Sequence, residues 1–358
     1  MVILHIACID NSKTSGVCIA VLQHVKAQGR IAETALINVN GVAIPEVRSQ
    51  LPFSKPFDVR TLPKPFDRPD LVVFQECYRP VYLSVAENLR KNGIPYIILP
   101  HGELGKDAQQ KKHLKKVAAN LLFFNRFTRK SLAIQCLSER ELEGTFFGKR
   151  RFIGTNGVDM PNVQKESFSR DGVKMVFIGR LDAYHKGLDL LLEAVRLSKP
   201  ALKESGCRVE IYGPDHAGRY ENVERLIGEN DVQDIVSLNH EILGEDKIKK
   251  LLESDIFIQT SRFEGMPLGI LEAMSYALPC LVTEGTSLGG VVSEAKAGWV
   301  AKTTAQDIAA CLVRAVHDRD RWMEFGKNGR TAVQDRFSWD VIAEETVNQY
   351  KALLKDSN

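Results

Sequence analysis

The chain has 358 residues, of which 44% are hydrophobic and 26% charged, and this composition excludes a disordered or fibrous protein. Its length favours two domains. The net charge of +3 is small but uneven: residues 1–165 carry 24 Lys and Arg against 14 Asp and Glu, whereas residues 166–358 carry 24 against 31. This asymmetry predicts different partners for the two halves, with chance variation of the surface as the alternative.

The cysteines and the apolar runs bear on the cellular compartment. The seven cysteines are scattered and form no CxxC pair, which predicts buried free thiols in a reducing compartment. The first residues, MVILHIACIDN, lack the basic lead and the cleavage site of a signal peptide. No apolar stretch reaches the length of a membrane span. We expect a cytoplasmic protein, and peripheral contact with the inner face of the cell membrane stays open.

Short β-branched runs alternate with helical patterns in the first half of the chain. A proline-rich loop is predicted between the first helix and the second strand, at 42–69. Ser138 and Glu141 have the spacing of a capping box. The predicted strands are 2–9, 71–75, 95–100 and 132–137, and the predicted helices are 15–28, 80–92, 106–130 and 139–147.

The same alternation continues in the second half, after a polar segment at 162–172 that we interpret as a linker. Alternating strands and helices are typical of α/β domains with parallel, doubly wound sheets, so two such domains are expected. The predicted strands are 175–179, 208–213, 235–239, 255–260, 279–283 and 298–301, and the predicted helices are 187–197, 219–229, 245–253, 267–277 and 305–318.

A single carboxylate, Glu272, stands in an otherwise uncharged run from Gly265 to Thr283. Pro267 suits the first turn of a helix there, because its missing N–H group is not needed at that position. An unpaired carboxylate is costly to bury. Glu272 therefore needs a partner, and three remain open: a cation in a salt bridge, backbone donors, or the paired hydroxyls of a ligand such as a ribose.

A second acid, Glu264, follows the predicted strand 255–260. Ser261 and Glu264 have the spacing of a capping box, but Gly265 and Pro267 would break a helix that began at Ser261. We therefore place Glu264 in a loop before the next helix. The positive end of that helix and its free N–H groups favour a phosphate, and Gly265 permits close approach.

Two cations, Arg180 and Lys186, lie in the segment FIGRLDAYHKGLDLLLEA. The strand is expected to end at Gly179 and the helix to begin near Gly187. An Arg and a Lys in one loop at the carboxyl end of a strand can hold a diphosphate. The alternative is solvated surface charge.

These two motifs, G-R-L-x(4)-K-G and E-G-M-P-L-x(3)-E-A-M, resemble the retaining glycosyltransferases of family 4, which have the GT-B fold. The resemblance covers essentially the whole chain and is stronger after residue 150. It implies two Rossmann-like domains that face each other across a cleft. The implied parts are an acceptor-binding domain at 1–161, a nucleotide-sugar-binding domain at 162–340, and a C-terminal helix at 341–358 that crosses back. Weaker matches are Pro100-His101-Gly102-Glu103-Leu104, Ser138-Glu139-x-Glu141, Asn156-Gly157-Val158-Asp159 and Phe337-Ser338-Trp339.

The resemblance also implies roles for individual residues. Arg180 and Lys186 would hold the diphosphate, Glu264 would contact the transferring sugar, and Glu272 would take the ribose hydroxyls. His101 would lie against the donor sugar from the other domain, although a histidine after a strand can equally be structural. The backbone that would cradle sugar and phosphate comprises Gly265, Met266, Pro267 and Leu268.

The chain departs from the family pattern at two places. The first loop has Thr14-Ser15-Gly16 where the family has paired glycines, so only Gly16 carries over as a donor-binding residue. His240 stands where a glycine is usual, in a loop near the nucleotide base.

The implied reaction transfers a hexose or N-acetylhexosamine from a nucleoside diphosphate sugar, UDP-linked rather than GDP-linked, with retention of configuration. The acceptor would be a saccharide or polyprenyl-linked glycan of the cell surface, such as lipopolysaccharide or capsule. No DxD motif stands at a strand end, so neither a metal nor another cofactor is expected. A nucleotide-sugar 2-epimerase of the same fold and a non-catalytic nucleotide-sugar-binding subunit remain alternatives.

Two other classes are disfavoured. Neither Gly16 nor Gly179 opens a GxGxxG run, which argues against a dinucleotide-dependent dehydrogenase. Nucleic acid is not an expected partner because the basic segment has no reader motif beside it.

The segment 111–130 has seven Lys and Arg residues and no acid. Its apolar positions form a helical stripe, and Phe123, Phe124 and Phe127 are expected to add exposed aromatic surface. One interpretation is a helix that contacts anionic lipid or a lipid-diphosphate acceptor. The other is an amphipathic helix packed on its own sheet, with solvated lysines. The four lysines beside the stripe are Lys111, Lys112, Lys115 and Lys116.

Overall fold

The computed structural model describes residues 1–10, 15–105, 120–216 and 218–356. The chain divides into two compact units. The first comprises Met1–Gly157 together with Trp339–Asn358, and the second comprises Val158–Ser338. Both have a parallel sheet with helices, so the predicted α/β class is confirmed.

The first unit has a seven-stranded parallel sheet of order β3-β2-β1-β4-β5-β6-β7. Its central strands are rich in Val, Ile and Leu and are buried along nearly their whole length, as is usual when helices cover both faces of a sheet. The strands are β1 Val2–Ala7, β2 Glu33–Asn38, β3 Gln50–Leu51, β4 Leu71–Gln75, β5 Tyr96–Leu99, β6 Ile134–Cys136 and β7 Arg151–Ile153.

Local signals explain where the helices of the first unit begin. The Ser15 side chain accepts a hydrogen bond from the Cys18 amide at the start of α1, and Pro80 opens α2. The last helix packs against α1 through Ala27, Trp339 and Ile342. The helices are α1 Gly16–Gln28, α2 Pro80–Lys91, α3 Asn125–Lys130, α4 Glu139–Gly144 and, at the end of the chain, Trp339–Lys355, with a π-helical turn at Asn120–Phe124 and a 3₁₀ turn at Val59–Thr61.

The second unit has a six-stranded parallel sheet of order β10-β9-β8-β11-β12-β13. Its strands are β8 Val173–Ile178, β9 Cys207–Tyr212, β10 Val236–Asn239, β11 Ile256–Gln259, β12 Cys280–Thr283 and β13 Gly298–Ala301. Its helices are α5 Leu188–Leu197, α6 Lys199–Glu204, α7 Arg219–Glu229, α8 Gly244–Glu253, α9 Leu268–Ser275, α10 Gly289–Glu294, α11 Ala305–His317 and α12 Trp322–Arg336, with a 3₁₀ turn at Arg319–Arg321.

The predicted linker at 162–172 is wrong, because this segment is part of the second unit. Lys165 is buried, lies 3.7 Å from the buried carboxylate of Asp255, and donates its backbone N–H to the Tyr276 carbonyl at 2.8 Å. The division falls instead at Gly157 and again at Ser338. The polar composition of this segment suggests an exposed linker, but the charge of Lys165 is paired with Asp255 inside the second unit.

Some elements escaped the sequence patterns. Strand β2 has the sequence ETALIN, whose Glu, Ala and Leu favour a helix, yet five of its six residues are buried in the sheet. The short strands β3 and β7 and the helices α6, α10 and α12 were also not predicted. Within the described residues, no helix combines the length and the apolar character that a membrane crossing requires.

Each sheet has a point at which the strand order reverses. In the first unit this switch point lies between β1 and β4, and in the second between β8 and β11. Loops at the carboxyl ends of strands diverge there, which leaves a crevice in which ligands of such folds bind.

Candidate functional site

Lys186 and Glu264 form an ion pair at the switch point of the second sheet, where Lys186 follows β8 and Glu264 follows β11. Each side chain is 12% exposed. The Ser261 hydroxyl lies 3.3 Å from Glu264 Oε1 and donates to it, and His185 Nε2 lies 3.6 Å from the same oxygen. The structure therefore brings together two predicted site residues that are 78 positions apart.

Gly187 allows the Lys186 loop to pack against the end of β11. Its φ is +63°, and a Cβ atom there would lie 2.0 Å from the Thr260 carbonyl oxygen. The Thr260 hydroxyl donates to the Gly187 carbonyl at 3.0 Å. Arg262 adds a two-pronged hydrogen bond to Asp189, with both distances 2.7 Å. Only glycine permits this approach, which fixes Lys186 near Glu264.

The other side of the Glu264 loop is held by the segment after β12. The Glu264 backbone N–H donates to the Gly285 carbonyl at 3.0 Å, and the Thr283 hydroxyl donates to the Ser261 carbonyl at 2.6 Å. The Glu264 loop is thus held from both sides. Its carboxylate position follows from the backbone and not from the ion pair alone.

Arg180 is exposed, directly after Gly179, and its side chain makes no hydrogen bond or ion pair with any residue in the described ranges. Burial lowers the pKa of His185, Glu264 opposes this, and the positive charges of Lys186 and Arg180 lower that pKa further. Arg180 thus adds positive charge to the surroundings of the imidazole that lies beside Glu264. Both predicted cations belong to one neighbourhood.

Helix α9 begins directly after the Glu264 loop, and Pro267 precedes its first residue instead of lying within its first turn. Pro267 is buried and Met266 half-buried, whereas Gly265 is exposed. A Cβ atom on Gly265 would meet no described atom within 4 Å, so packing does not require a glycine there. Of the first N–H groups of α9, that of Ile270 donates to the Pro267 carbonyl at 3.0 Å, whereas those of Leu268 and Gly269 come before the first bond of the helical ladder.

Glu272 pairs with Lys247 of helix α8. The Glu272 side chain is 26% exposed and that of Lys247 is 25% exposed, so the carboxylate is less buried than its uncharged surroundings in the sequence predicted. Of the three partners left open, the structure shows a cation. The sequence pattern missed Lys247 because it lies 25 positions earlier on another helix.

A hollow lies at the carboxyl ends of β9 and β10, lined by Tyr212, Asn239 and His240. The His240 ring stacks on Tyr220, with 4.8 Å between ring centroids and 20° between planes. The residue that departs from the family pattern is thus part of an aromatic pair at the rim of the sheet.

His101 follows β5 in the first unit and has a left-handed backbone, with φ of +48°. Its Nε2 lies 2.7 Å from Gln75 Oε1. Burial lowers the pKa of His101 to about 3, and His24 adds to the effect. The imidazole is therefore neutral at neutral pH.

Two carboxylates brace the turn around His101. Glu141 accepts the Gly102 N–H at 2.8 Å and the Leu137 N–H at 2.7 Å, and Glu103 accepts the Cys77 N–H at 2.6 Å. The predicted capping box is half present, because the Ser138 side chain caps the Glu141 amide but Glu141 itself reaches these other donors. The turn geometry is thus set by two acids for which the sequence patterns predict no such role.

Gly16 is exposed, and a Cβ atom on it would meet no described atom within 4 Å. Thr14 lies outside the described residues. So do the four lysines of the predicted basic helix, Lys111, Lys112, Lys115 and Lys116.

The expectation of three exposed aromatics after those lysines is wrong for two of them. Phe123 is 56% exposed, but Phe124 and Phe127 are 6% and 3% exposed and belong to the core of the first unit. Their rings pack on Tyr78 and on Phe74 and Tyr96, respectively, which supplies the apolar partners that the sequence pattern left open.

Comparison with known proteins adds family information. Residues 160–332 match the family described as Glycosyl transferases group 1. An uncharacterized glycosyltransferase of Methanocaldococcus jannaschii is 30% identical over 200 residues, which are 54% of this chain and 49% of that protein. This chain thus spans about half the length of that relative.

Two further proteins match over most of the chain. The GDP-mannose:cellobiosyl-diphosphopolyprenol alpha-mannosyltransferase of Xanthomonas oryzae pv. oryzae is 23% identical over 282 residues, which are 76% of this chain and 71% of that protein. The structure of Anabaena HepE in complex with UDP superposes with a TM-score of 0.76 at 15% identity, over 98% of this chain and 100% of that chain. The fold of two Rossmann-like domains is therefore GT-B, and the second unit is similar to the group 1 glycosyltransferases.

Proposed function

We propose that the protein is a retaining glycosyltransferase. It moves a hexose or N-acetylhexosamine from a nucleoside diphosphate sugar to a saccharide or polyprenyl-linked acceptor in the synthesis of a cell-surface polysaccharide. The observation that carries this proposal is the Lys186–Glu264 pair at the switch point of the second sheet, with Arg180 nearby and the start of helix α9 directly after it.

The proposed step breaks the bond between the anomeric carbon and the leaving diphosphate oxygen, and an acceptor oxygen bonds to the same face. The acceptor proton passes to the leaving phosphate. Lys186, Arg180 and the N–H groups at the start of α9 stabilise the charge that develops on the diphosphate. Glu264 accepts a hydrogen bond from a hydroxyl of the transferring sugar, and the ion pair with Lys186 orients the Glu264 carboxylate for this role.

Glu272 is proposed to bind the ribose hydroxyls of the donor. Lys247 bonds to Oε2 of this carboxylate, and an ionised carboxylate has acceptor sites to spare. The partial exposure of both side chains supports the proposal, since a ligand can reach the pair without a rearrangement of the core.

Gly16 and Gly265 are proposed to let backbone approach the donor. Neither glycine is required by neighbouring atoms in the described part of the chain, and both are exposed. The space beside each can therefore be filled by a ligand.

The reaction is proposed to need no metal, because Lys186, Arg180 and the start of helix α9 would supply the positive charge that a metal ion would otherwise bring. Activity that survives EDTA is the expected result. Loss of activity in EDTA that Mn²⁺ or Mg²⁺ restores would refute this part of the proposal.

The direct test is a thermal-shift panel of UDP- and GDP-linked hexoses and N-acetylhexosamines, followed by transfer assays with the best donor. A UDP sugar is our first expectation. The similar proteins described above include a transferase named for GDP-mannose and a structure in complex with UDP, so the panel covers both. Conversion of the donor without an acceptor, or binding without turnover, would contradict transferase activity.

Contact with anionic membrane through Lys111, Lys112, Lys115 and Lys116 is also proposed. The basic composition of that segment supports it. Co-sedimentation with anionic but not with neutral vesicles, abolished by high salt, is expected. Equal sedimentation with both vesicles would end the idea.

A further inference from the structure

A buried row of polar side chains crosses the first unit and ends at His101. Every link except that between Tyr350 and Gln28 is a hydrogen bond, and every member before His101 is at most 1% exposed. In order from the backbone carbonyl of Gly154, the members are Gln135, Tyr350, Gln28, His5, Gln75 and His101.

The Gly154 carbonyl fixes which group donates and which accepts at this end of the row. A carbonyl can only accept, so the amide nitrogen of Gln135 faces it, at 2.8 Å. The amide oxygen of Gln135 therefore faces Tyr350, whose hydroxyl donates to it at 2.7 Å. With its proton used in this bond, the Tyr350 oxygen can only accept from other groups.

Gln28 determines which nitrogen of His5 carries the proton. Burial raises the pKa of Tyr350, and the Gln28 side chain opposes this rise. Gln28 Nε2 makes no hydrogen bond within the described ranges. Its Oε1 lies 3.0 Å from His5 Nε2, and because an amide oxygen can only accept, His5 must carry its proton there.

Gln75 accepts a hydrogen bond from His101 because its amide nitrogen is already used as a donor to His5. Because Nδ1 of His5 is bare, the Gln75 amide nitrogen donates to it at 3.0 Å. Gln75 Oε1 must then accept from His101 Nε2, at 2.7 Å. A neutral histidine with its proton on Nε2 has a bare Nδ1, and Nδ1 of His101 makes no hydrogen bond to any described residue.

We propose that Gln75 and His5 are positioning residues that hold His101 as the neutral Nε2–H tautomer, so that its Nδ1 accepts a hydrogen bond from a substrate hydroxyl. The contact with substrate rests on the proposed function, whereas the tautomer does not. Reversal of any one link would set two donors or two acceptors against each other in the buried row.

The tautomer is tested without any substrate by ¹⁵N NMR of the histidine rings, which separates protonated from bare nitrogens. For His101 we expect a protonated Nε2 and a bare Nδ1. In Gln75→Leu, which removes the acceptor of the Nε2 proton, a mixture of tautomers is expected. A protonated Nδ1 in the wild-type protein, or an unchanged tautomer in Gln75→Leu, would overturn the proposal.

The positioning role is tested by kinetics with the donor found in the panel. Gln75→Leu should lower kcat about tenfold with little change in donor KM, and it should cause no further loss in a His101→Ala background, because it acts through His101. A second pair of variants controls for a loss of activity that is caused by misfolding. His5→Asn offers an acceptor near the position of Nδ1 and should rescue most of the activity that His5→Leu loses.

Donor analogues test the accepting role of Nδ1. At the hydroxyl that contacts His101, a fluorine can accept but not donate, so the deoxyfluoro sugar should bind as weakly as the deoxy sugar. Stronger binding of the deoxyfluoro sugar would show that His101 donates and would overturn the assignment. Full kcat in Gln75→Leu would overturn the positioning role, whereas no transfer by the wild-type protein would instead overturn the proposed function.

Discussion

The two parallel sheets end in different chemistry at their carboxyl edges. In the second unit, Glu264 and Glu272 each pair with a lysine, and all four side chains retain some exposure. In the first unit, the groups that lead to His101 are neutral and almost fully buried. Partly exposed ion pairs can exchange a partner for a charged ligand, whereas a buried neutral row can only direct hydrogen bonds.

The acids of the first unit reinforce this contrast. Glu103 and Glu141 accept backbone N–H groups around His101 and so stabilise the loop itself. Glu264, by comparison, has its backbone held by neighbouring loops, which leaves its carboxylate for Lys186, His185 and Ser261. The same residue type thus serves the scaffold in one unit and the site in the other.

The largest effect is expected for Lys186→Ala in the second unit. Loss of one cation that stabilises the leaving diphosphate should lower kcat/KM about 100- to 1,000-fold, and Arg180→Ala should behave similarly. Transfer kinetics measure this. Lys199→Ala is the matched control, because Lys199 also forms an ion pair, with Asp231, but away from the switch point. Near-normal turnover in Lys186→Ala would contradict the proposed role of Lys186 at the leaving diphosphate.

The neutral histidines of the first unit should make its stability depend on pH. Burial lowers the pKa of His5 and of His101 to about 3, and that of His24 to about 4. The unfolded chain takes up protons near pH 6.5, whereas the folded chain does not, so stability falls as the pH drops from about 6.5 towards 4. Each histidine should contribute about 1.4 kcal/mol per pH unit.

Urea unfolding at a series of pH values measures this slope. His24→Gln should remove the contribution of one histidine while its amide can still reach Asn156, the partner of His24 Nε2 at 3.0 Å. The contribution should vanish above about pH 7, which serves as the internal control. A slope unchanged in His24→Gln would show that this histidine is not held neutral.

Variants of the Glu272–Lys247 pair can separate a role in donor binding from a role in packing. If Glu272 binds ribose, Glu272→Ala should raise donor KM about tenfold, as loss of one good hydrogen-bonding group does. Lys247→Ala should change KM less, since Lys247 acts through Glu272. Equal losses of melting temperature in both variants, with KM unchanged, would instead indicate a purely structural pair.

The smallest effect is expected for Gly265→Ala. A methyl group in the space beside Gly265 should raise donor KM a few-fold without loss of stability, because no described atom lies within 4 Å of its position. Gly228→Ala is the control, since Gly228 in helix α7 has the same empty surroundings. That change should leave KM unaltered and stabilise the protein by about 0.4–1 kcal/mol. Identical kinetics for the two variants would argue against ligand approach at Gly265.

Local sequence patterns are enough to predict the parallel α/β class and most strands and helices, because short β-branched runs and helical periodicity are local signals. They also mark Arg180, Lys186 and Glu264 as a group, since each follows a predicted strand and such loops meet at one edge of a sheet. Strand β2 escaped because its burial in the sheet overrides the helical preference of its residues.

Which side chains become partners depends on the folded chain as a whole. Lys247 reaches Glu272 from another helix, and the row from Gln135 to His101 joins three strands, two helices and the turn after β5 in the first unit. The links between His5, Gln75 and their neighbours span 23 to 70 positions along the chain. No local pattern encodes such pairs, because hydrogen-bond direction depends on what the whole fold places beside each group.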